Sequence, residues 1–151
     1  MESLEKLLVK QAEYEDEIDP DAPDIVLPRL KVLAIVGFMI NLLLVIKTPV
    51  LEELYINTIP GLAWQEPYDV CPYFFEKSPC DRLNRLTIHT IHSMFVKHVI
   101  HYTPQIQFLS VMLPDNEHDV IYDYLTFSQG QAPLLPVMQQ LCTYCTGDVD
   151  L

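Results

Sequence analysis

Glycine is scarce, with four in 151 residues, and none of the four falls into a G-x-G-x-x-G or Walker spacing. A backbone cradle for nucleotide phosphates is therefore excluded. Cations are scarce as well: nine Lys and Arg stand against 21 Asp and Glu, for a net charge of −12. Lys6, Arg29, Lys31, Lys47, Lys77, Arg82, Arg85 and Lys97 are scattered along the chain rather than gathered into a stripe, which argues against direct nucleic-acid binding. The start, MESLEKLLVKQAEYEDE, lacks the basic, apolar and small-residue segments of a secretory leader, so an intracellular, reducing compartment is expected. The longest apolar run, Val32 to Ile46, spans 15 residues and would reach only about 22 Å as a helix, short of a ~30 Å hydrocarbon core. A membrane span is thus disfavoured, and the run reads as a buried apolar helix.

Half of the residues are hydrophobic, enough for one domain to fold around a core without disulfides. Glu13, Glu15, Asp16, Glu17, Asp19, Asp21 and Asp24 crowd into one window broken by Pro20 and Pro23. Residues 1–23 are accordingly expected to be an acidic, flexible segment and residues 24–151 a single globular domain.

Leu4, Leu7, Leu8 and Ala12 suggest a weak helix over residues 2–14. Pro28 starts the apolar helix and Thr48-Pro49 ends it, because the residue before a proline is driven out of the α region. A short helix or turn runs from Val50 to Tyr55. Ile59 to Pro79, with four of the 12 prolines and the single Trp64, reads as an irregular packed loop. Leu83, Leu86, Ile91 and Met94 suggest a helix from Asp81 to about Phe95, followed by a strand. In the last third, Ile106 and Phe108 alternate with Gln105 and Gln107, Asp115 to Glu117 form a turn, and Val120 to Phe127 make a second β-rich run, which is a β-hairpin signal. Gly130 to Pro136 is a loop and Val137 to Tyr144 a short helix or strand. No internal repeat is apparent. The fold class expected is α+β: a single compact domain with a buried apolar helix and a C-terminal β-hairpin.

Four cysteines could carry chemistry. Cys71 and Cys80 lie nine apart and Cys142 and Cys145 form Cys-x-x-Cys, so a structural zinc on four thiolates is chemically feasible, although C-x8-C is not a standard knuckle and free cysteines are commonly core residues. His89 with His92 and His98 with His101 resemble ligand pairs, but on one continuous helix the two pairs would point in opposite directions. His92 could instead join Cys80. No Gly-rich elbow or basic flank surrounds any cysteine, so a nucleophilic Cys/His enzyme is not expected.

Taken in order, DIVL at Asp24 to Leu27, the apolar run, LEELYINTIPGLAW ending at Trp64, CPYFFEKSPC, HVIHYTPQIQFLSVMLP, HDVIYDYL and LCTYC resemble the core of the adenovirus early region 4 34K protein family over residues 24–146. The resemblance implies a non-enzymatic viral adaptor of the host nucleus and cytoplasm. Such a protein would recruit host cullin and elongin subunits and, with an early region 1B 55K partner, direct host proteins to degradation and aid viral mRNA export. It also implies that the family's cysteine places map onto Cys71, Cys80, Cys142 and Cys145. Family members are longer and carry an arginine-rich amphipathic helix that this chain lacks. Leu30 with Ala34 and Pro133 to Pro136 are degenerate matches to elongin- and cullin-contacting boxes.

Overall fold

Pro28, Pro49, Pro104 and Pro136 each occupy the second position of a tight turn, where a ring that holds φ near −65° is already shaped for the bend. In a computed structural model that describes residues 4–10, 22–58, 70–90, 92–126 and 133–145, these turns close in the same way each time. Leu30 N donates to Leu27 O (3.2 Å), Leu51 N to Thr48 O (3.3 Å), Ile106 N to Thr103 O (3.2 Å) and Met138 N to Leu135 O (3.2 Å). A fifth copy joins Leu83 N to Cys80 O (2.9 Å), with Asp81 where the others have proline.

Each turn leads into a strand. Strands β1 (Lys6–Lys10), β3 (Val32–Val36), β5 (Glu53–Asn57), β6 (Arg85–His89), β7 (Phe108–Leu113) and β8 (Gln140–Cys145) form one six-stranded sheet in that order, with every pair parallel. Two short strands, β2 (Ile25–Val26) and β4 (Ile46–Lys47), pair in parallel as a second small sheet. Parallel neighbours need crossovers. Here they run through a 3-10 helix over Gly37–Leu44 and through the helices α1 (Val70–Lys77), α2 (Ser93–His101) and α3 (His118–Leu125). Among the described residues, strands stacked in chain order and joined by these crossovers from β3 to β8 have the layout of a solenoid.

The register exposes an internal repeat, L-x-x-L-x-(I/V), contrary to the expectation of none. Leu30, Leu33 and Ile35 stack on Leu51, Leu54 and Ile56, then on Leu83, Leu86 and Ile88, then on Ile106, Leu109 and Val111, and all twelve are buried. Leu4, Leu7 and Val9 begin the series and Met138, Leu141 and Thr143 end it in the two edge coils. A backbone ladder ties the coils just before each strand: Lys31 N to Glu5 O (2.8 Å), Glu52 N to Lys31 O (2.8 Å), Asn84 N to Glu52 O (3.0 Å), Gln107 N to Asn84 O (2.9 Å) and Gln139 N to Gln107 O (2.8 Å). Phe74 of α1, Phe95, Val96 and Val99 of α2 and Ile121 of α3 close the core from the other side. Each such burial contributes about 1.5–3 kcal/mol.

The mixed helix-and-strand class holds, while several of its parts differ from the expectation. The apolar run is strand, 3-10 helix and strand rather than one α-helix. Gly37, at φ 81°, breaks it immediately after β3, in a region that glycine enters without steric cost. The C-terminal hairpin does not form: Val120 to Leu125 of the second run fold within α3, leaving β7 to pair in parallel with β8, and Phe127 lies outside the described residues. Its residues Val120, Ile121 and Tyr124 suit an amphipathic helix as well as a strand, and the sheet position beside β7 is taken by β8. The helix expected from Asp81 is instead β6 followed by α2, and residues 6–10, expected as part of a helix in a flexible segment, pair along their whole length with β3. Within the Ile59–Pro79 loop, Val70–Lys77 is α1 followed by Ser78 and Pro79, and residues 59–69, with Trp64, lie outside the described residues, as does most of the acidic window. Among the described residues, no helix is long and apolar enough to cross a membrane.

Candidate functional site: the open face of the sheet

Side chains alternate across a strand, and parallel in-register strands turn that alternation into ladders. One face of each central strand enters the core. The other carries three ladders with no crossover helix above them among the described residues. Lys6, Val32, Glu53, Arg85, Phe108 and Gln140 form the first, Leu8, Ala34, Tyr55, Thr87, Ser110 and Cys142 the second, and Lys10, Val36, Asn57, His89, Met112 and Tyr144 the third. At the β1–β3 end this face is mostly aliphatic, and from β5 onward it becomes polar and aromatic.

A three-residue network sits where the character changes. Asn57 Nδ2 donates to the Tyr55 hydroxyl at 3.2 Å, and that hydroxyl lies 3.1 Å from His89 Nδ1. The hydroxyl thus links Asn57 to the imidazole, donating to Nδ1 when the ring proton is on Nε2 and accepting from Nδ1 when it is not. The two rings meet edge to face, with centroids 5.0 Å apart at 71°. Partial burial holds the His89 pKa below its ordinary value, which favours the neutral ring.

Next to it a cavity of about 280 Å³ opens between β6, β7 and β8, lined by Arg85, Thr87, Phe108, Ser110, Gln140, Cys142 and Tyr144 among others. The Arg85 guanidinium carbon lies 5.0 Å from the Phe108 ring centroid, and its Nε is 3.9 Å from Glu53 Oε1, a loose contact between half-exposed groups. Gln140 Nε2 donates to Cys142 Sγ at 3.2 Å. The arrangement offers a cation, an aromatic floor and several short-range donors, which suits recognition of a carboxylate-bearing, partly apolar ligand.

The four cysteines are not brought together as one zinc site. Cys71, on α1, and Cys80, in the turn before β6, are buried in the core, and burial pushes both thiols up to about 12, away from the thiolate a metal needs. Three residues apart on a strand, Cys142 and Cys145 point to opposite faces. Cys142 lines the open-face cavity, whereas Cys145 approaches the Asp115 carboxylate, which raises its pKa. Among the described residues, no group of three or more His, Cys, Asp or Glu could hold a metal ion. His89 ends β6, His92 precedes α2, and His98 and His101 lie on α2, so the expected continuous helix for the two pairs does not exist. Leu30 is fully buried in a turn and Ala34 lies on β3, so the elongin-box match is not helical. Pro133 to Pro136 lead into β8 with Leu135 buried.

Sequence reasoning missed Tyr55, Asn57, Arg85 and Phe108 as site residues and weighed His89 only as half of a metal pair with His92. The signal that could have found them is the repeat, because they are the variable positions around its second Leu and its Ile or Val. Comparison with family models, curated proteins and solved structures returns no match. The function is therefore argued from the geometry of the face itself.

Proposed function

We propose that the chain is a non-enzymatic binding module of the leucine-rich-repeat type that recognises a protein partner on the open face of its sheet. The strand-plus-helix coils and the L-x-x-L-x-(I/V) ladder support the repeat assignment. The observation that carries the binding role is the continuous face from β5 to β8, where Tyr55, Asn57, His89, Arg85 and Phe108 are displayed in register and held by contacts to one another. Preorganised aromatic and Arg side chains are the types that dominate binding energy at protein interfaces. The affinity of a purified partner, measured by calorimetry, should fall at least ~10-fold with Arg85→Glu or Tyr55→Ala, as expected for anchor residues. Unchanged affinity in both variants would remove the proposal.

Recruitment of cullin and elongin subunits, with or without a 55K-type viral partner, in the host nucleus and cytoplasm is a narrower form of the same adaptor reading and rests on the family resemblance. Affinity purification of the tagged chain, read by mass spectrometry for those subunits, tests it separately.

A further inference from the structure

The repeat is left unfinished at both edges of the six-stranded sheet. Among the described residues no strand lies beyond β1 or beyond β8. Leu4, the first residue of the motif in the β1 coil, is 47% exposed, where Leu30, Leu51 and Leu83 at the same position are 0% exposed. Leu7 and Leu141, the second Leu of the motif in the two edge coils, are half-buried, whereas Leu33, Leu54, Leu86 and Leu109 between them are buried. Leu8 and Tyr144 stand exposed on the open face of the same two strands. Stacked-repeat proteins stay single by giving their terminal coils a polar outer face, and leucine holds the motif position at both ends here. Strand β8 also carries none of the charges or prolines that commonly guard a sheet edge.

The two edges match in backbone as well as in side chains. Val32 N donates to Glu5 O at 3.1 Å, and Gln140 N donates to Gln107 O at 3.1 Å. Successive residues of a strand turn their N–H and C=O groups alternately to one side and the other. Those of Lys6, Leu8 and Lys10 on β1, and of Leu141 and Thr143 on β8, therefore point out of the sheet. When β1 of a second copy is laid beside β8 in the parallel register of the other five pairs, Leu7 falls opposite Leu141 and Leu8 opposite Cys142. The bonds then run from Lys6 N to Gln139 O, from Leu8 N to Leu141 O and from Thr143 N to Leu8 O. Lys10 meets the Tyr144 ring in the way that Arg85 meets Phe108, its opposite residue, with the guanidinium carbon 5.0 Å from the ring centroid. A two-fold pairing of β8 with β8 would satisfy one edge and leave Leu4 and Leu8 uncovered.

We propose that β8 of one chain docks in parallel against β1 of a second copy, so that chains join head to tail and the sheet runs on from copy to copy. Such a joint is heterologous and keeps a free β1 at one end and a free β8 at the other, so rows lengthen rather than close. Residues 133–145, which form one side of the joint, carry no Asp, Glu, Lys or Arg. The net charge of −12 on each chain opposes growth at long range, and added salt relieves that repulsion.

Sedimentation velocity of the full chain over a range of protein and salt concentrations is the test. The expected result is an average mass that climbs above the 17.4 kDa of one chain as protein concentration rises, and climbs further at high salt. Leu8→Pro and Thr143→Pro each remove an outward N–H that the sheet's own ladder does not use, a place where an edge strand accepts proline. Each variant alone should sediment as a monomer. An equimolar mixture should form a species of two chains and no more, because one variant keeps β8 open and the other keeps β1 open. Circular dichroism checks the fold, and Leu8→Glu and Cys142→Glu serve in place of a proline variant that does not fold. A monomer at every concentration and salt would overturn the proposal. So would assembly of either blocked variant by itself, which would mean that like edges pair, or a mixture that stays monomeric.

Discussion

The hydroxyl of Tyr55 on β5 lies 3.1 Å from Nδ1 of His89 on the neighbouring strand β6, a contact that ties the imidazole to the next strand. It arises because the strands are in register, with Tyr55 opposite Thr87 and His89 two residues further along. Asn57, opposite His89, completes the chain of donors.

His89 should titrate below its ordinary value of 6.5, because burial disfavours the imidazolium. A group whose folded-state pKa is depressed in this sense binds its proton more readily when unfolded. The neutral ring's contribution to stability is thus complete above pH 6.5 and is lost as pH falls from there through the lowered folded value. Proton NMR titration of the histidine ring resonances reads this directly. Tyr55→Phe should raise the His89 pKa by removing a donor to the neutral form, and an unchanged value would show that the hydroxyl does not favour it.

Leu86, fully buried in a central coil, should cost about 2–5 kcal/mol when replaced by Ala, whereas Leu8, 69% exposed on the edge strand, should change stability by no more than ~0.5 kcal/mol. Urea unfolding midpoints measure both. Equal effects would contradict the assignment of core and open faces.

Only two of the four thiols should react promptly with a thiol reagent in the folded protein. Cys142 and Cys145 are partly or fully accessible, while Cys71 and Cys80 are buried and held protonated. All four should react after denaturation. A chelator should leave the melting temperature unchanged, and a drop on chelation together with stoichiometric zinc would restore the four-thiolate site.

Asp24 accepts from both Lys47, at 2.6 Å, and Lys77, and these bonds hold its carboxyl below the usual carboxylate range. Its stabilising contribution is present above the unfolded value of 3.8 and lost as pH falls through the depressed folded one. Asp24→Asn should speed amide exchange at Ile25 and Leu27, whose N–H groups bond to Val45 O and Lys47 O. Exchange indistinguishable from wild type would mean that the lysines do not pin β2 to β4.

Much of the solenoid was legible in the chain without being read. Thr48-Pro49-Val50-Leu51 and Thr103-Pro104-Gln105-Ile106 are near copies, each followed by x-x-L-x-(I/V), and Leu27-Pro28 and Leu135-Pro136 open two more. The uneven crossovers between coils hid the period, since the first Leu, Ile or Met of the motif recurs after 21, 32, 23 and 32 residues from Leu30 onward. Strand β7 was foreseen because Gln105 to Phe108 alternate polar and apolar residues leading into it. Its expected hairpin partner was not, because Val120 to Leu125 carries apolar residues compatible with either period.

Composition and pattern by themselves determined that this acidic chain has no glycine loop for a nucleotide, that it can build one apolar core, and where proline turns the backbone. These follow from residue type and local sterics. The tertiary structure alone decided whether Val32 to Ile46 is strand or helix, which ladder faces outward, and that Cys71 and Cys80 end in the core while Cys142 and Cys145 part to opposite faces. Those outcomes depend on which strand lies alongside, and no local window of sequence contains that information.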